Sequence, residues 1–294
     1  MSSLALAAVQ APPRLIGEPF SAFADEIRRV LAEHPGTELM VFPELHLFGD
    51  GNPDRQRSEA LREAAQPLDG PLVGALKQLA GDLGLWLVPG SICEREPEGQ
   101  LFNTCLVLSP EGALAARYRK IFPWRPFEPY DPGDTFVTVD LPGFGRAGLS
   151  ICYDSWFPEV TRQLAWMGAD MIINVVKTTT PDRAQELVLA RANAIFNQVF
   201  MISVNCAGPT GKGRSIIVDP EGAVLSEAPD ESPCVLTARL DMGHPGRVRS
   251  GGTAGLNRMW SQLRADDAAI ELPIYGGRIT PATWTPDAHT KSQP

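Results

Sequence analysis

The sequence predicts an α/β fold in which two sheets pack face to face and helices cover their outer faces. Three observations point there. Apolar strand-like runs alternate with amphipathic helical stretches along most of the chain. The two halves pass through these elements in similar order. Each half also carries one version of the same hairpin, "LVLSPEGALAA" and then "IIVDPEGAVLS". Pro-x-Gly turns are common, so the hairpin matters mainly because the surrounding order repeats as well.

Near the start, "LALAAVQA" reads as a strand. It lacks the basic leader and the longer apolar run of a signal peptide. "FSAFADEIRRVL" places Phe20, Phe23, Ala24, Ile27, Val30 and Leu31 on one helical face. "LMVFPE" is a buried strand ending at Pro43-Glu44, residues 71–83 form a helix, and "LWLVPGSI" is the next strand. "LFNTCLVLSPEGALAARYRKI" reads as two strands joined by a tight turn at Pro110-Glu111-Gly112.

In the second half "RAGLSICYD" is a strand, residues 156–168 a helix and "MIINVV" a strand. "TPDRAQELVLARANAIFNQ" predicts a helix with Thr180 as N-cap and Pro181 in its first turn. Its apolar face would carry Ala184, Leu187, Val188, Ala192, Ile195 and Val199. "FMISVNCAG" and the hairpin "RSIIVDPEGAVLSEA" follow. No low-complexity linker divides the chain, so residues 1–294 are expected to form one domain. An extended tail is expected from about residue 243, where the periodicity fades.

Composition narrows the class of function. The chain has 294 residues, 44% of them hydrophobic, enough to bury a large core. Its 26 Lys and Arg against 35 Asp and Glu give a net charge of −9. No basic stripe exists to neutralise phosphates, so neither nucleic acid nor an anionic membrane is an expected partner. No apolar run approaches the ~18 residues of a membrane span. Cys93, Cys105, Cys152, Cys206 and Cys234 form no C-x-x-C pair, and an odd number suits reduced thiols in a cytoplasm. Four scattered histidines supply no zinc ligand set, which also argues against a metallohydrolase.

Three polar residues stand at the ends of apolar strands: Glu44, Lys120 and Cys152. Taken singly, each has a plain explanation. A Cys in an apolar run is often a small core hydrophobe, and a strand-end Glu or Lys is often a solvated rim charge. Strand ends in an α/β sheet, however, form the crevice where ligands bind. A carboxylate, an ammonium and a thiol meeting there would be a complete set for splitting an amide. Glu44 would take the thiol proton and pass it to the leaving amine. Cys152 would form a thioester. Lys120 and the backbone N–H of Tyr153 would stabilise the oxyanion.

These residues stand in "VFPEL", "YRKIFPW" and "GLSICYDSWFPE". In that order, the three motifs resemble the nitrilase superfamily of carbon–nitrogen hydrolases, over residues 4 to about 241. The resemblance implies a four-layer α-β-β-α sandwich, a Glu44-Lys120-Cys152 triad and no cofactor. It also implies a homodimer or larger homo-oligomer, with the helices after Cys152 at the interface. The segment "KIFPWRPFEPYDPGD" resembles the aliphatic-amidase branch. There, Glu128 would hold the substrate amide and Lys120, and Trp124 would line the pocket. Two departures stand out. Leu45 replaces a Tyr common in amidases, and Lys177 stands where several relatives have a neutral residue or Arg.

The expected activity is therefore hydrolysis of a small amide. The main alternative is an N-carbamoyl amino-acid amidohydrolase, with Lys177 or Arg125 holding the substrate carboxylate. Lys177 could equally be a rim charge. A true nitrilase is less favoured, because Tyr153-Asp154 replaces the Trp-Glu that usually follows the Cys. A papain-like pair would have to use His46. Acyl transfer shares the same thioester, and a catalytically silent scaffold would have no reason to keep all three groups.

Overall fold

A computed structural model describes residues 3–50, 56–272 and 277–279. The first half contributes β1 (Ser3–Gln10), α1 (Phe20–Glu33), β2 (Leu39–Val41), α2 (Arg57–Ala64) and α3 (Pro71–Leu83). It continues through β3 (Trp86–Val88), β4 (Ser91–Arg95), β5 (Leu101–Leu108) and β6 (Leu114–Arg119). The second half has β7 (Thr138–Leu141), β8 (Gly145–Ile151), α4 (Pro158–Trp166), β9 (Met171–Val176) and α5 (Arg183–Asn197). Then come β10 (Phe200–Asn205), β11 (Ile216–Val218), β12 (Val224–Glu227), β13 (Cys234–Asp241) and α6 (His244–Gly251). A small pair, β14 (Ile270–Leu272) and β15 (Gly277–Ile279), closes the described chain.

The first sheet runs β13-β1-β2-β3-β5-β4, with β6 also paired to β5; the second runs β12-β11-β10-β9-β8-β7. Each is built on three parallel strands, β1-β2-β3 in one and β8-β9-β10 in the other. Antiparallel strands extend both. Parallel strands covered on both faces need continuous apolar sequence, and "MIINVV" and "FMISVN" are buried at every position.

The two sheets share one core: Leu6, Val41 and Tyr118 belong to the same cluster as Leu149, Ile173 and Ile202. On the outside, Phe23, Ile27 and Leu76 of α1 and α3 pack against the first sheet. Val160, Leu164 and Ala194 of α4 and α5 pack against the second. The result is an α-β-β-α sandwich. Among the described residues, no helix is long and apolar enough to cross a membrane.

Two sequence expectations need correcting. The fifth helix starts at Arg183 with Asp182 as its N-cap, so Thr180 and Pro181 precede it. Its buried side carries Arg183, Glu186, Asn193 and Asn197 as well as Leu187, Ala190 and Ala194, while Ala184, Val188 and Ile195 face out. Buried polar groups are tolerated because they are bonded. Arg183 donates to Glu186, Gly213 O and Arg214 O, and Asn193 donates to Ser155 O.

Nor does the tail extend away at residue 243. Arg249 of α6 bonds Asp170 and Ala169 O, and Trp260 is buried beside α4 under the guanidinium of Arg162. Residues 273–276 and 280–294 lie outside the described residues.

One close approach holds the end of β2 in place. Gly90 has φ +88°, and a Cβ there would fall 1.8 Å from Pro43 O, one residue before Glu44. Gly90→Ala is expected to destabilise the protein by about 2 kcal/mol or more. That corresponds to a fall of about 4 °C or more in Tm. A Tm within one degree of the parent protein would show that the Pro43 loop yields freely.

Candidate active site

The carboxyl ends of the two parallel triplets meet across the sandwich. Glu44 follows β2 in a tight turn, and its N–H donates to Val176 O at the end of β9, 3.3 Å away. The next residue, Leu45, has φ +51° and donates its N–H to Ser91 Oγ at 3.0 Å. Of these two bonds, the one from Glu44 to Val176 links a strand end of the first sheet to one of the second.

Lys120 lies immediately beyond β6, fully buried, with its N–H on Asn103 O and its carbonyl accepting from Gly133 N. Its Nζ donates to Glu44 Oε1 at 3.1 Å and to Glu128 Oε1 at 2.8 Å. Asn103 Nδ2 also donates to Glu44 Oε1, at 2.7 Å. Glu44 Oε2 therefore accepts nothing among the described residues. Glu128 is steadied by its own turn, where Trp124 N–H donates to Oε2 at 3.0 Å.

Cys152 follows β8 and opens a 3-10 turn, Cys152–Trp156, with φ +48°. A side chain in this left-handed region is uncommon outside glycine and is characteristic of functional sites. Asp154 holds the turn. Its Oδ2 accepts from Ile151 N–H (2.9 Å) and Tyr118 OH (2.8 Å), and its Oδ1 accepts from Phe122 N–H (2.9 Å). One carboxylate thus joins the cysteine elbow to the strand end bearing Lys120.

The Cys152 sulfur lies 3.8 Å from Thr178 Oγ1. That hydroxyl faces both Glu186 oxygens, at 2.7 and 2.8 Å, and Glu186 is itself paired with Arg183 at 2.9 Å. With the Thr178 proton directed to a carboxylate, its lone pairs are turned towards the thiol.

These positions set the charges. Burial works against the Lys120 ammonium, but the carboxylates of Glu44 and Glu128 outweigh it and hold the group above the ordinary lysine value. Burial raises the Cys152 thiol well above its usual value; Glu44 adds to this and Lys120 opposes it. The resting sulfur is therefore a thiol. Burial also raises Glu128, against the pull of Lys120 and with a further push from Glu44.

A cavity of about 290 Å³ opens beside this cluster. Glu44, Glu128, Trp124, Leu45, Arg57 and Lys177 are among its walls. Of the residues singled out in the sequence, Glu44, Leu45, Trp124, Glu128 and Lys177 line it. Lys120 is buried against two of these walls. Cys152 is not a lining residue, although its partner Thr178 adjoins Thr179, which is.

The Tyr153 side chain does not line the cavity; it packs edge-on against Phe157 at 5.4 Å, so only its backbone remains a candidate for the site. Arg125 is exposed and does not line the cavity, although Trp124 beside it does, and Arg57 is a lining residue. His46 is fully buried against Glu26 and the Phe23 and Phe42 rings, which rules out a pairing with Cys152.

Sequence reasoning missed Asn103, Asp154, Thr178 and Glu186. The first carried a readable signal, an Asn inside the apolar run "LFNTCLVL". Glu186 was hidden because its helix was read by its apolar spacing.

The carbon–nitrogen hydrolase family matches residues 5–250, and the chain belongs to that family. It is 33% identical to a formamidase of Pseudomonas syringae pv. tomato over 233 residues, 76% of this chain and 67% of the relative. Among solved structures it is similar to Saccharomyces cerevisiae Nit3, a member of branch 10 of the nitrilase superfamily. That match has 27% identity and a TM-score of 0.76, covering 88% of this chain and 97% of the other. It is also similar to an amidase from Nesterenkonia sp. AN1, solved as a mutant with the acetamide moiety of fluoroacetamide added covalently at the active site cysteine. Identity there is 25% and the TM-score 0.68, covering 83% of this chain and 92% of the other. The protein is a hydrolase of amide C–N bonds.

Burial pushes Asp154 up to about 6, against the pull of Lys120 and of its three hydrogen bonds. In the unfolded chain the same group titrates near 4. Between these values the native state holds a proton that the unfolded state has lost. Stability from this group is thus fully present below about pH 4 and declines as pH rises through about 6, by on the order of 3 kcal/mol. Asp154→Asn is expected to flatten that segment of the stability profile. Denaturant unfolding at pH 4.5 and pH 7 measures it; equal pH dependence in parent and variant would contradict the assignment.

Proposed function

We propose that the protein hydrolyses a small amide through a thioester on Cys152, with Glu44 as acid–base and Lys120 as oxyanion donor. The observation that carries this reading is the buried ammonium of Lys120 bridging Glu44 and Glu128. Such a cation is fixed in place before substrate arrives and does not have to reorganise during the reaction.

The steps follow from the geometry. The thiol is protonated at rest, so attack on the carbonyl carbon needs a base, and Glu44 Oε2 is available for that proton. As the S–C bond forms, the carbonyl oxygen becomes an oxyanion. Lys120 Nζ is one donor for it. The Tyr153 N–H, in the first turn of the 3-10 segment where no intrahelical acceptor exists, is the other. Glu44 returns the proton to the amide nitrogen, ammonia leaves, and a thioester remains. Water then gives its proton to Glu44 and attacks the thioester, releasing the carboxylic acid and the thiol. Glu128 can accept a hydrogen bond from the substrate –NH2 with its remaining lone pairs. A nitrile offers no such donor, which favours amides over nitriles.

The chain is read as one carbon–nitrogen hydrolase domain. Its five cysteines are all unpaired thiols, which supports a reducing cytoplasm.

Cys152→Ala is expected to lower amide turnover by at least about a thousandfold, without unfolding the protein. Mass spectrometry of the parent protein with fluoroacetamide should show an acetamide-sized adduct on Cys152, formed with loss of fluoride and absent from the variant. A variant retaining a tenth of the parent turnover would remove Cys152 from the chemistry.

A homo-oligomer is also proposed. On α5, beyond the cysteine elbow, Val188, Ile195 and Phe196 are 66%, 44% and 58% exposed. Their spacing makes one apolar stripe facing outwards, and such a patch on a helix marks an association surface. Light scattering should give a particle larger than the 31.8 kDa chain, and Phe196→Asp should shift it towards the monomer. A 31.8 kDa particle for the parent protein at micromolar concentration would reject the proposal.

A further inference from the structure

The Cys152 sulfur has neighbours that the reaction steps above do not use: Thr178, at 3.8 Å, and through it Glu186 of α5. Thr178 is fixed along its backbone. Its N–H donates to Asn205 Oδ1 at 2.8 Å, and its carbonyl accepts from Lys212 N–H at 2.9 Å and from Asn205 Nδ2 at 3.3 Å. Glu186 is fixed by Arg183 at 2.9 Å, and Arg183 directs its other donors to Gly213 O, Arg214 O and Ser203 Oγ. Thr178, Arg183 and Glu186 are all buried, where a half-satisfied polar network would be costly.

A threonine hydroxyl has one proton and two lone pairs, whereas a carboxylate can only accept. The Glu186 oxygens lie 2.7 and 2.8 Å from Thr178 Oγ1, so the hydroxyl proton is committed to them. Towards the sulfur the hydroxyl can act only as an acceptor, and the thiol must be the donor. The same helix also steadies the backbone of the cysteine turn. Asn193 Nδ2 donates to Ser155 O at 3.2 Å, and Ser155 Oγ donates to Cys152 O at 2.9 Å. Contacts leading to α5 thus hold Cys152 at both its carbonyl and its sulfur.

We infer that Glu186, acting through Thr178, is a positioning residue that keeps the nucleophile a thiol, its S–H directed at the Thr178 hydroxyl until Glu44 removes the proton. This inference rests on the reading of Cys152 as the nucleophile. The charges around the sulfur agree with it. Burial does most to raise the thiol, Glu44 adds to this, Lys120 opposes it, and Glu186 and Glu128 raise it further. Each of these acids has a cation beside it, Lys120 for Glu44 and Glu128 and Arg183 for Glu186. An amide in place of the Glu186 carboxylate would reverse the arrangement. It can donate to Thr178 Oγ1, which frees the hydroxyl proton to turn to the sulfur and stabilise a thiolate. Thiolates are the form that oxidants and electrophiles attack, so a resting thiol held protonated is protected until substrate arrives.

The test reads the thiol directly. Methyl methanethiosulfonate, a small neutral reagent that reacts with the thiolate, is applied across the range from about pH 6 to about pH 10, and mass spectrometry follows the Cys152 peptide. Glu186→Gln should speed this modification at neutral pH by about tenfold or more, by moving the thiol's midpoint down about one unit or more. Amide turnover should move the other way, with kcat lower by about tenfold and KM within about twofold, because a proton lost to solvent is one that Glu44 cannot pass to the leaving nitrogen. Thr178→Val removes the acceptor while leaving the Glu186–Arg183 pair in place. It should likewise speed modification and lower kcat, and Thr178→Ser should return both towards the parent values. A lower Tm in Glu186→Gln or Thr178→Val, with the parent's kcat and modification profile retained, would reduce the pair to a structural contact and overturn the inference. Faster modification in these variants, with no amide turned over by the parent protein, would support the pair while refuting the proposed reaction.

Discussion

The site is organised around one buried cation. Lys120 has no solvent to hydrate its ammonium, so it can stay charged only with carboxylates against it. Glu44 and Glu128 supply them, at 3.1 and 2.8 Å. The dependence runs both ways, because two acids facing one cavity would repel each other and protonate without the lysine. Each group thereby fixes the state of the others. The lysine remains a donor, and Glu44 keeps one oxygen unoccupied. Glu128 is held in place by a turn of its own chain.

The rest of the fold serves to bring that cluster to the sulfur. Glu44 belongs to the first sheet and Cys152 to the second, so the proposed chemistry is possible only where the sheets pack together. Two of the polar links that cross that boundary lie at the site. The Glu44 N–H to Val176 O bond ties the strand ends, and Asp154 ties the cysteine turn to Tyr118 on β6 and to Phe122. Buried in a low-dielectric core, such bonds are costly to break. They give the site a precision that apolar packing between two flat sheets would not supply.

Much of this was legible in the sequence because periodicity and punctuation are local signals. Runs such as "MIINVV" and "FMISVN" could only be strands buried on both faces, and the paired hairpins announced two similar halves. The three catalytic candidates were visible because each is a polar residue interrupting an apolar strand end. What escaped is long-range. Asn103 meets Glu44 across 59 residues and Tyr118 meets Asp154 across 36, and although the Asn stands out in its apolar run, nothing near either residue names its partner. Arg57 was passed over because nothing near it in the chain suggests a cavity wall.

The fifth helix shows most clearly why pattern and role can part. Read by hydrophobicity alone, its Val188, Ile195 and neighbouring residues define the face that should seek the core. The structure turns that face outwards. Inwards it points Arg183, Glu186 and Asn193, each with a bonded partner. The reason lies in the site, since Glu186 must reach Thr178, and through it the sulfur of Cys152. A helix that gives inner positions to these polar contacts, beside Leu187, Ala190 and Ala194, carries its remaining large apolar residues outside. Their cost in water becomes tolerable if another subunit covers them. The orientation of the Cys152 thiol and the apolar outer stripe proposed for association thus follow from the same choice of which side of α5 faces the sheet.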